Sequence, residues 1–275
     1  MVIGTNSTTE YILGTHDAEL RRLGFQHRVW SREAAGLWDR AGFGPGQRIV
    51  DVGCGPGFAS LDLAGLVGSA GRILSVDESP HFLDHLRTRS TAWGLGNVEV
   101  YQQDVQELSL PAGGADGAYA RWVICFVENP DAVVAAVAGT LRPGGVFAVQ
   151  DYLYYRALRL CPDGRMMEKV IAAVDASWRA RKGDPDICRR LPTIMARHGF
   201  EIRDARPIVR CARPGSALWD WPGSFFRNYL PTLVANGYLT PADQADFEKE
   251  WAEHSANPNA VFCTPIVMDI IAVKK

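Results

Sequence analysis

Three glycines alternate in one short stretch of the chain and form its most distinctive motif. The stretch reads VDVGCGPGF over residues 50–58, and its glycines are Gly53, Gly55 and Gly57. Glycine lets the backbone turn tightly and lets a ligand approach without a Cβ in the way. A short apolar run precedes the motif and a helical pattern follows it, which predicts a ligand-binding loop between a strand and a helix. Such loops also occur without ligands, so the motif alone is a weak signal.

Carboxylates stand at the ends of the predicted strands around this loop. Asp77 ends the second strand, where it can accept hydrogen bonds from two ribose hydroxyls. Asp104 ends the third strand, where it can meet an adenine edge. Because ligands in open α/β sheets sit at the carboxyl ends of strands, these groups predict one nucleoside-shaped site. Asp51 precedes the loop and suits a cationic amino group better than a pyrophosphate, and the G-x-G-x-G spacing differs from the G-x-G-x-x-G of dinucleotide-binding loops.

Alternating strands and helices must position these residues. The predicted strands cover residues 48–52, 72–76, 98–101, part of 116–127, and 146–149. Helical patterns separate them, and a further helix is predicted over residues 11–42, ahead of the first strand. The alternation predicts an α/β fold with a parallel sheet and helices on both faces.

The alternation stops after residue 151. Helices are predicted over 166–181 and over 187–198, the latter interrupted near Pro192. Strands are predicted over 201–211 and 262–273. A segment rich in aromatic residues and proline separates these two strands, which indicates a sheet edge that carries a cap.

Four segments together resemble the class I S-adenosylmethionine (SAM) dependent methyltransferases. They are VDVGCGPGF, VDES, QQDV and LRPGG, and their order and spacing match the family over residues 48–151. The opening YILGTHDAELRRLGFQHRVW resembles the lid helix of small-molecule methyltransferases of the ubiquinone/menaquinone type and their antibiotic-tailoring relatives. The resemblance implies SAM as cofactor and a Rossmann-like seven-stranded, mostly parallel sheet with its last strand antiparallel, helices on both faces and a helical cap. We expect N-terminal lid helices in 1–46, a SAM-binding core in 47–151, and the remaining strands and cap in 152–275, all in one compact domain.

The same resemblance implies roles for individual residues. Gly53, Cys54 and Gly55 would lie against the methionine part of SAM. The full set of implied cofactor-binding residues is Tyr11, Gln26, Trp30, Asp51, Gly53, Cys54, Gly55, Gly57, Asp77, Glu78, Ser79, Asp104, Val105, Arg121 and Trp122. One departure concerns the fourth strand, which ends in ARWVICFVEN and lacks the short polar signature of some subfamilies.

The acceptor side of the reaction has less specific signals. A methyl acceptor needs alignment and, for some acceptors, a base, for which His16, Asp151 and Tyr152 are the candidates. The simpler interpretations are that His16 is an exposed histidine of the lid helix and that Asp151 caps the next turn. Four aromatic residues of the later segments are predicted to line an apolar substrate pocket, although such spacing also fits an ordinary core: Tyr155, Trp219, Phe225 and Tyr229.

Composition excludes several other classes of protein. The chain carries 29 Lys and Arg against 31 Asp and Glu, so its net charge of -2 gives no reason to bind nucleic acid. No apolar run approaches the ~20 residues of a membrane-spanning helix, and no secretory signal is evident. The six cysteines are scattered without paired spacing, which predicts free buried thiols and a cytoplasmic protein. No metal site is expected, and a monomer or homodimer fits equally well.

These observations predict a SAM-dependent methyltransferase that acts by in-line displacement. The expected acceptor is an O, N or C nucleophile of a small, apolar or aromatic molecule, either quinone-like or from natural product biosynthesis. One alternative is an NAD(P)-dependent oxidoreductase on the same sheet. Another is a SAM-binding protein or a cyclase without simple methyl turnover.

Overall fold

A computed structural model describes residues 14–110 and 114–275 of the 275-residue chain. Within these ranges the chain forms ten strands and eight α-helices. The strands are β1 (Arg48–Val52), β2 (Arg72–Asp77), β3 (Val98–Gln102), β4 (Ala115–Arg121), β5 (Leu141–Tyr154), β6 (Arg159–Cys161), β7 (Phe200–Ile208), β8 (Cys211–Ala212), β9 (Val261–Cys263) and β10 (Ile266–Lys274). The helices are α1 (Asp17–Ala41), α2 (Phe58–Val67), α3 (Pro80–Ala92), α4 (Pro130–Thr140), α5 (Arg165–Ala180), α6 (Leu191–Arg197), α7 (Ala217–Ala235) and α8 (Pro241–Ala256).

Seven strands form the main sheet in the order β3-β2-β1-β4-β5-β10-β7. The strands from β1 to β5 pair in parallel, and β10 runs antiparallel to both β5 and β7. This confirms the predicted seven-stranded, mostly parallel sheet with an antiparallel last strand. The strand order reverses between β1 and β4, and at such a point a crevice opens beyond the carboxyl ends of the strands.

Alternate residues of the central strands pack against helices on opposite faces of the sheet. Ile49 and Ile73 join a buried cluster with the apolar residues of α2 and of the later turns of α1. Their neighbours Val50 and Leu74 join a second cluster with the apolar residues of α4 and α6. Because successive side chains of a strand point to opposite faces, strands buried on both faces read as continuous apolar runs. The predicted placement of helices on both faces is confirmed.

The cap consists of α5, α7 and α8, which contact one another, and α7 also contacts α1. Glu250 of α8 accepts hydrogen bonds from the backbone N–H groups of Met166 and Met167, at 3.0 and 2.9 Å. These two N–H groups belong to the first turn of α5 and have no partner within that helix. Helix α8 therefore holds the start of α5 in place by a specific polar contact as well as by packing.

Several element boundaries differ from the predictions because tertiary pairing decides them. The fourth strand, predicted within residues 116–127, covers Ala115–Arg121. The fifth strand is longer than predicted, and its Pro-Gly-Gly turn is a bulge where the pairing with β4 shifts register. Each of the two late strands divides, into β7 and β8 and into β9 and β10. Strands β6, β9 and β8 form a second, three-stranded antiparallel sheet that the sequence patterns did not reveal.

Candidate active site

A cavity of about 690 Å³ lies at the point where the strand order reverses. The ends of β1, β2, β3 and β4 form one end of the cavity, and α1, α5 and α7 contribute the other. Fifteen predicted site residues line it: Gln26, Asp51, Gly53, Cys54, Gly55, Asp77, Glu78, Ser79, Asp104, Val105, Arg121, Trp122, Tyr152, Tyr155 and Phe225. Residues from distant parts of the sequence thus share one space.

The glycines of the loop after β1 differ in how closely other atoms approach them. All three have positive φ, in the region that favours glycine. A Cβ on Gly57 would lie 2.3 Å from Cδ1 of Leu86, so this glycine allows α2 and α3 to pack closely. A Cβ on Gly55 would meet no atom within 4 Å. Gly55 therefore leaves open space at the cavity wall, where a ligand can approach the backbone.

Asp77 connects the end of β2 to this loop. Its carboxylate accepts hydrogen bonds from the backbone N–H of Gly55 at 2.8 Å and from that of Ser79 at 2.9 Å. Ser79 caps α3 by accepting from the N–H of Phe82, and Pro80 occupies the first helical position, as predicted. Each oxygen of Asp77 keeps a lone pair, which is what two ribose hydroxyls would need.

Four carboxylates crowd the sheet end of the cavity: Asp51, Asp77, Glu78 and Asp104. Burial raises the pKa of Asp51 to about 6, although Ser60 donates a hydrogen bond to it at 2.6 Å. Burial and the neighbouring charges of Asp77 and Asp104 raise the pKa of Glu78 to about 7. Mutual repulsion of this kind favours a ligand with positive charge and disfavours a polyanion.

A hydrogen-bonded chain of three side chains crosses one wall of the cavity. Nη2 of Arg121 lies 2.8 Å from Nδ1 of His27, and Nε2 of His27 lies 2.9 Å from a carboxylate oxygen of Asp62. Because a guanidinium only donates, Nδ1 of His27 accepts and its Nε2 carries the proton. The imidazole of His27 is thus neutral, and its lone pair is already used.

The other end of the cavity has aromatic walls. Trp122 stacks against Tyr152 and Trp221 with ring centroids 6.0 and 6.1 Å apart. Tyr152 and Tyr155 both pack against Trp178, which also lines the cavity. Burial is the main cause that raises the pKa of both phenols well above the usual range, so both carry their protons at neutral pH.

A buried polar network joins α1 to α7. Glu19 and Arg22 form a bidentate ion pair at 2.6 and 2.7 Å, and Asn228 of α7 donates to Glu19 at 2.7 Å. The amide oxygen of Gln26 accepts from Nη1 of Arg22 and from Nε1 of Trp221, both at 2.9 Å. Both partners are obligate donors, so the orientation of the amide is fixed. The NH₂ group of Gln26 is then left to donate to a ligand.

Two predicted catalytic residues do not reach the cavity. His16 is exposed and caps α1, where Nδ1 accepts from the backbone N–H of Glu19 at 3.3 Å. Asp151 is fully buried and accepts hydrogen bonds from the N–H groups of Ile124, Cys125 and Tyr152. Its carboxylate therefore fastens the loop after β4 onto the end of β5.

Four more predicted residues lie behind the cavity walls, and one lies outside the described part of the chain. Trp30 is fully buried and packs edge-on against Trp122. Gly57 lies against Leu86, where it allows α2 and α3 to pack closely. Trp219 stacks on Trp251 in the cap core, and the hydroxyl of Tyr229 pairs with Ser177. Tyr11 falls among residues 1–13, which the structure does not describe.

Sequence reasoning missed several lining residues. Arg22 lies one helical turn before Gln26, and this spacing on α1 could have identified it. Other missed residues, among them His27, Phe126, Trp178 and Trp221, reach the cavity only through tertiary packing. The sequence carries no local signal for their position.

A family described as a methyltransferase domain matches residues 50–149 of the chain. An uncharacterised 37.1 kDa protein in a transposon of Streptomyces fradiae is 36% identical over 212 residues, which cover 77% of this chain and 58% of that protein. The ubiquinone/menaquinone biosynthesis C-methyltransferase of Teredinibacter turnerae is 31% identical over 46% of this chain and 50% of its own length. Aklanonic acid methyltransferase of a Streptomyces species is 29% identical over 38% and 47%. The chain thus spans about half the length of these curated relatives.

Solved structures share the fold at low sequence identity. The geranyl diphosphate C-methyltransferase of Streptomyces coelicolor, solved with S-adenosyl-L-homocysteine (SAH), superposes with a TM-score of 0.60 at 14% identity, over 90% of this chain and 77% of that one. The cyclase SpnF superposes with a TM-score of 0.57 at 19% identity, over 88% and 80%. The family match thus shows a methyltransferase domain over residues 50–149, as the sequence predicts. The solved structures show that the described chain shares their fold.

Two further findings concern membrane-spanning helices and metal sites. Among the helices of residues 14–110 and 114–275, none has the length and apolar character that crossing a membrane requires. Within the same residues, no group of three or more His, Cys, Asp or Glu side chains is arranged to hold a metal ion.

Proposed function

We propose that the protein transfers a methyl group from SAM to an O, N or C nucleophile of a small aromatic or apolar molecule. One observation carries this proposal: a single cavity has four carboxylates at the sheet end and aromatic side chains at the end formed by α1, α5 and α7. The first part suits a cationic nucleoside cofactor, and the second suits an apolar acceptor.

The residues at the sheet end fit SAM better than a dinucleotide. Asp77 would accept from the ribose hydroxyls, and the open space beside Gly55 would admit the methionine part. The carboxylates of Asp51 and Glu78 are destabilised by burial and by the neighbouring charge of Asp77, which a cationic ligand would relieve. A pyrophosphate would add to that repulsion, so an NAD(P)-dependent oxidoreductase is disfavoured.

The chain's own contribution to methyl transfer is alignment and the exclusion of water. When bound, SAM supplies a methyl group on a positively charged sulfur, and the neutral thioether SAH is an excellent leaving group. Among the described residues of the aromatic end, Tyr152 and Tyr155 are protonated and His27 has no free lone pair. Glu128 at the margin is exposed and paired with Lys182. These residues therefore favour an acceptor that is nucleophilic at neutral pH without help from a protein base.

Gln26 gives a finer expectation about the acceptor. Its neighbours Arg22 and Trp221 belong to the aromatic end, so we assign its NH₂ group to the acceptor rather than to the cofactor. A group that only donates there requires a hydrogen-bond acceptor on the bound molecule, such as the oxygen of a carbonyl, phenolate or carboxylate. Relatives named for ubiquinone, menaquinone and aklanonic acid support an oxygenated, quinone-like or natural-product acceptor.

Partners and location belong to the same proposal. The net charge of -2 supports a small-molecule acceptor over nucleic acid. We also propose a cytoplasmic protein that is a monomer or a homodimer, organised as lid, core and cap in one compact domain.

Calorimetric titration of one purified sample with SAM, SAH and NADPH tests the cofactor. We expect SAM and SAH to bind and NADPH not to bind, and binding of NADPH alone would overturn the proposal. Turnover is then tested by incubation with SAM and a panel of phenols, quinols and aromatic acids, with detection of SAH and methylated product. SAH formed together with a methylated product supports a transferase, whereas a rearranged product without SAH would indicate a cyclase.

A further inference from the structure

Three of the six cysteines lie on one face of the small antiparallel sheet. Cys211 of β8 is directly opposite Cys263 of β9. Cys161 of β6 is opposite Val261, two residues before Cys263. Because alternate residues of a strand share a face, Cys161 points to the same side as the other two thiols. The expectation of free buried thiols holds for Cys54, Cys125 and Cys188, but Cys161 and Cys211 are exposed and Cys263 is half-buried.

Cys211 and Cys263 are positioned for a covalent bond. Their Sγ atoms are 3.0 Å apart. The N–H of Thr264 donates to the carbonyl oxygen of Arg210, and the N–H of Arg210 donates to the hydroxyl oxygen of Thr264. Residues 210 and 264 thus occupy a hydrogen-bonded position of the ladder. The pairs alternate along an antiparallel ladder, which makes Cys211 and Cys263 a non-hydrogen-bonded pair. In such pairs the Cα atoms are about 4.5 Å apart, within the range that a disulfide spans.

We propose that Cys211 and Cys263 form a redox-active dithiol site that takes low-molecular-weight disulfides, such as oxidised glutathione, and closes to a reversible disulfide. The site lies outside the cavity. The inference is therefore independent of methyl transfer.

The reaction proceeds by two thiol–disulfide exchanges. The thiolate of Cys211, the more exposed residue, attacks one sulfur of the small disulfide, forms a mixed disulfide and releases one small thiol. Cys263 then attacks Sγ of Cys211, closes the protein disulfide and releases the second small thiol. Two electrons and two protons pass from the protein to the small disulfide. Burial, together with the hydrogen bond to Cys211, raises the pKa of Cys263 to about 12, which supports Cys211 as the first nucleophile.

The bond would join two segments that lead into the cavity wall. β8 ends five residues before α7, whose Trp221 and Phe225 line the cavity. β9 ends two residues before Pro265, which also lines it. The bond would close a loop between residues 52 positions apart, which restricts the unfolded chain. We expect oxidation to raise Tm by about 5 °C or more.

The test treats the full chain with oxidised glutathione at pH 8. Remaining thiols are alkylated in denaturant, and the products are analysed by intact mass and peptide mapping. We expect four alkylated cysteines instead of six, no retained glutathione, and a peptide cross-linked through Cys211 and Cys263. Cys161→Ser is the matched control and should still close the bond, whereas Cys211→Ser and Cys263→Ser should not.

Three results would overturn the proposal. They are six alkylated cysteines after oxidation, a stable glutathione adduct without the cross-link, and a cross-link that contains Cys161. The Tm of the untreated variants shows whether each has folded. If Cys263→Ser fails to fold, Cys211→Ser decides the question, because residue 211 is exposed.

Discussion

Replacement of Asp77 by alanine tests the cofactor end of the cavity most directly. The carboxylate holds the loop through Gly55 and the start of α3 through Ser79, and it keeps lone pairs for two ribose hydroxyls. A hydrogen bond to a charged group contributes about 1.5–3 kcal/mol. Loss of one such bond to the ligand should raise the Kd of SAH about 10- to 150-fold. Calorimetric titration measures this change directly.

Loss of the two backbone contacts could also distort the loop, so the titration needs a second ligand for comparison. We would titrate wild type and Asp77→Ala with SAH and with an analogue that lacks both ribose hydroxyls. If Asp77 binds the ribose, the analogue binds more weakly to wild type, but binds to the variant as well as SAH does. Asp84→Ala, which removes an exposed carboxylate of α3, is the control. An SAH affinity of Asp77→Ala within threefold of wild type would refute the assignment.

Three further changes probe the loop, a buried charge and the acceptor end. Gly57→Ala should lower the free energy of unfolding by clearly more than Gly46→Ala, since both have φ of +80 but only the former forces a Cβ against Leu86. We expect about 1–2 kcal/mol for the backbone alone and about 1–3 kcal/mol more for the clash, by urea unfolding; equal losses would contradict this. Asp51 has a pKa raised from 3.8 to about 6, so the folded state takes up a proton between pH 7 and pH 5 that the unfolded state does not. The free energy of unfolding therefore increases as pH falls from 7 to 5. In urea unfolding, Asp51→Asn should show an increase about 1 kcal/mol smaller than that of wild type. Parallel pH profiles of the two proteins would disprove the raised pKa. Gln26→Glu keeps an oxygen for Arg22 but replaces the free donor by an acceptor, so the KM of an oxygenated acceptor should rise about tenfold. A change confined to SAH affinity would assign Gln26 to the cofactor.

Local patterns were sufficient to predict the sheet end of the site. A strand, a glycine loop and a helix are adjacent in the chain, so residues 50–58 carry their own structural signal. The same holds for Ser79 and Pro80, whose types alone indicate the start of a helix. Carboxylates at strand ends were the second signal, and Asp51, Asp77 and Asp104 all line the cavity.

The same signal failed for Asp151, and the reason is tertiary. The loop after β4 folds over the end of β5 and directs the N–H groups of Ile124 and Cys125 onto this carboxylate. No pattern near Asp151 contains that information. The contact of His27 with Arg121 likewise joins residues 94 positions apart, and Trp178 reaches the cavity through the packing of α5 against α7 and α8.

The tryptophans of the aromatic wall should report ligand binding through their fluorescence. Three of the protein's eight tryptophans, Trp122, Trp178 and Trp221, line the cavity, whereas Trp93, which directly follows α3, is 54% exposed and does not line it. A conjugated acceptor bound among these indoles would quench their emission by energy transfer, while emission from Trp93 would serve as an internal reference. Candidate acceptors can therefore be ranked on the unmodified protein by fluorescence, before any product has been identified.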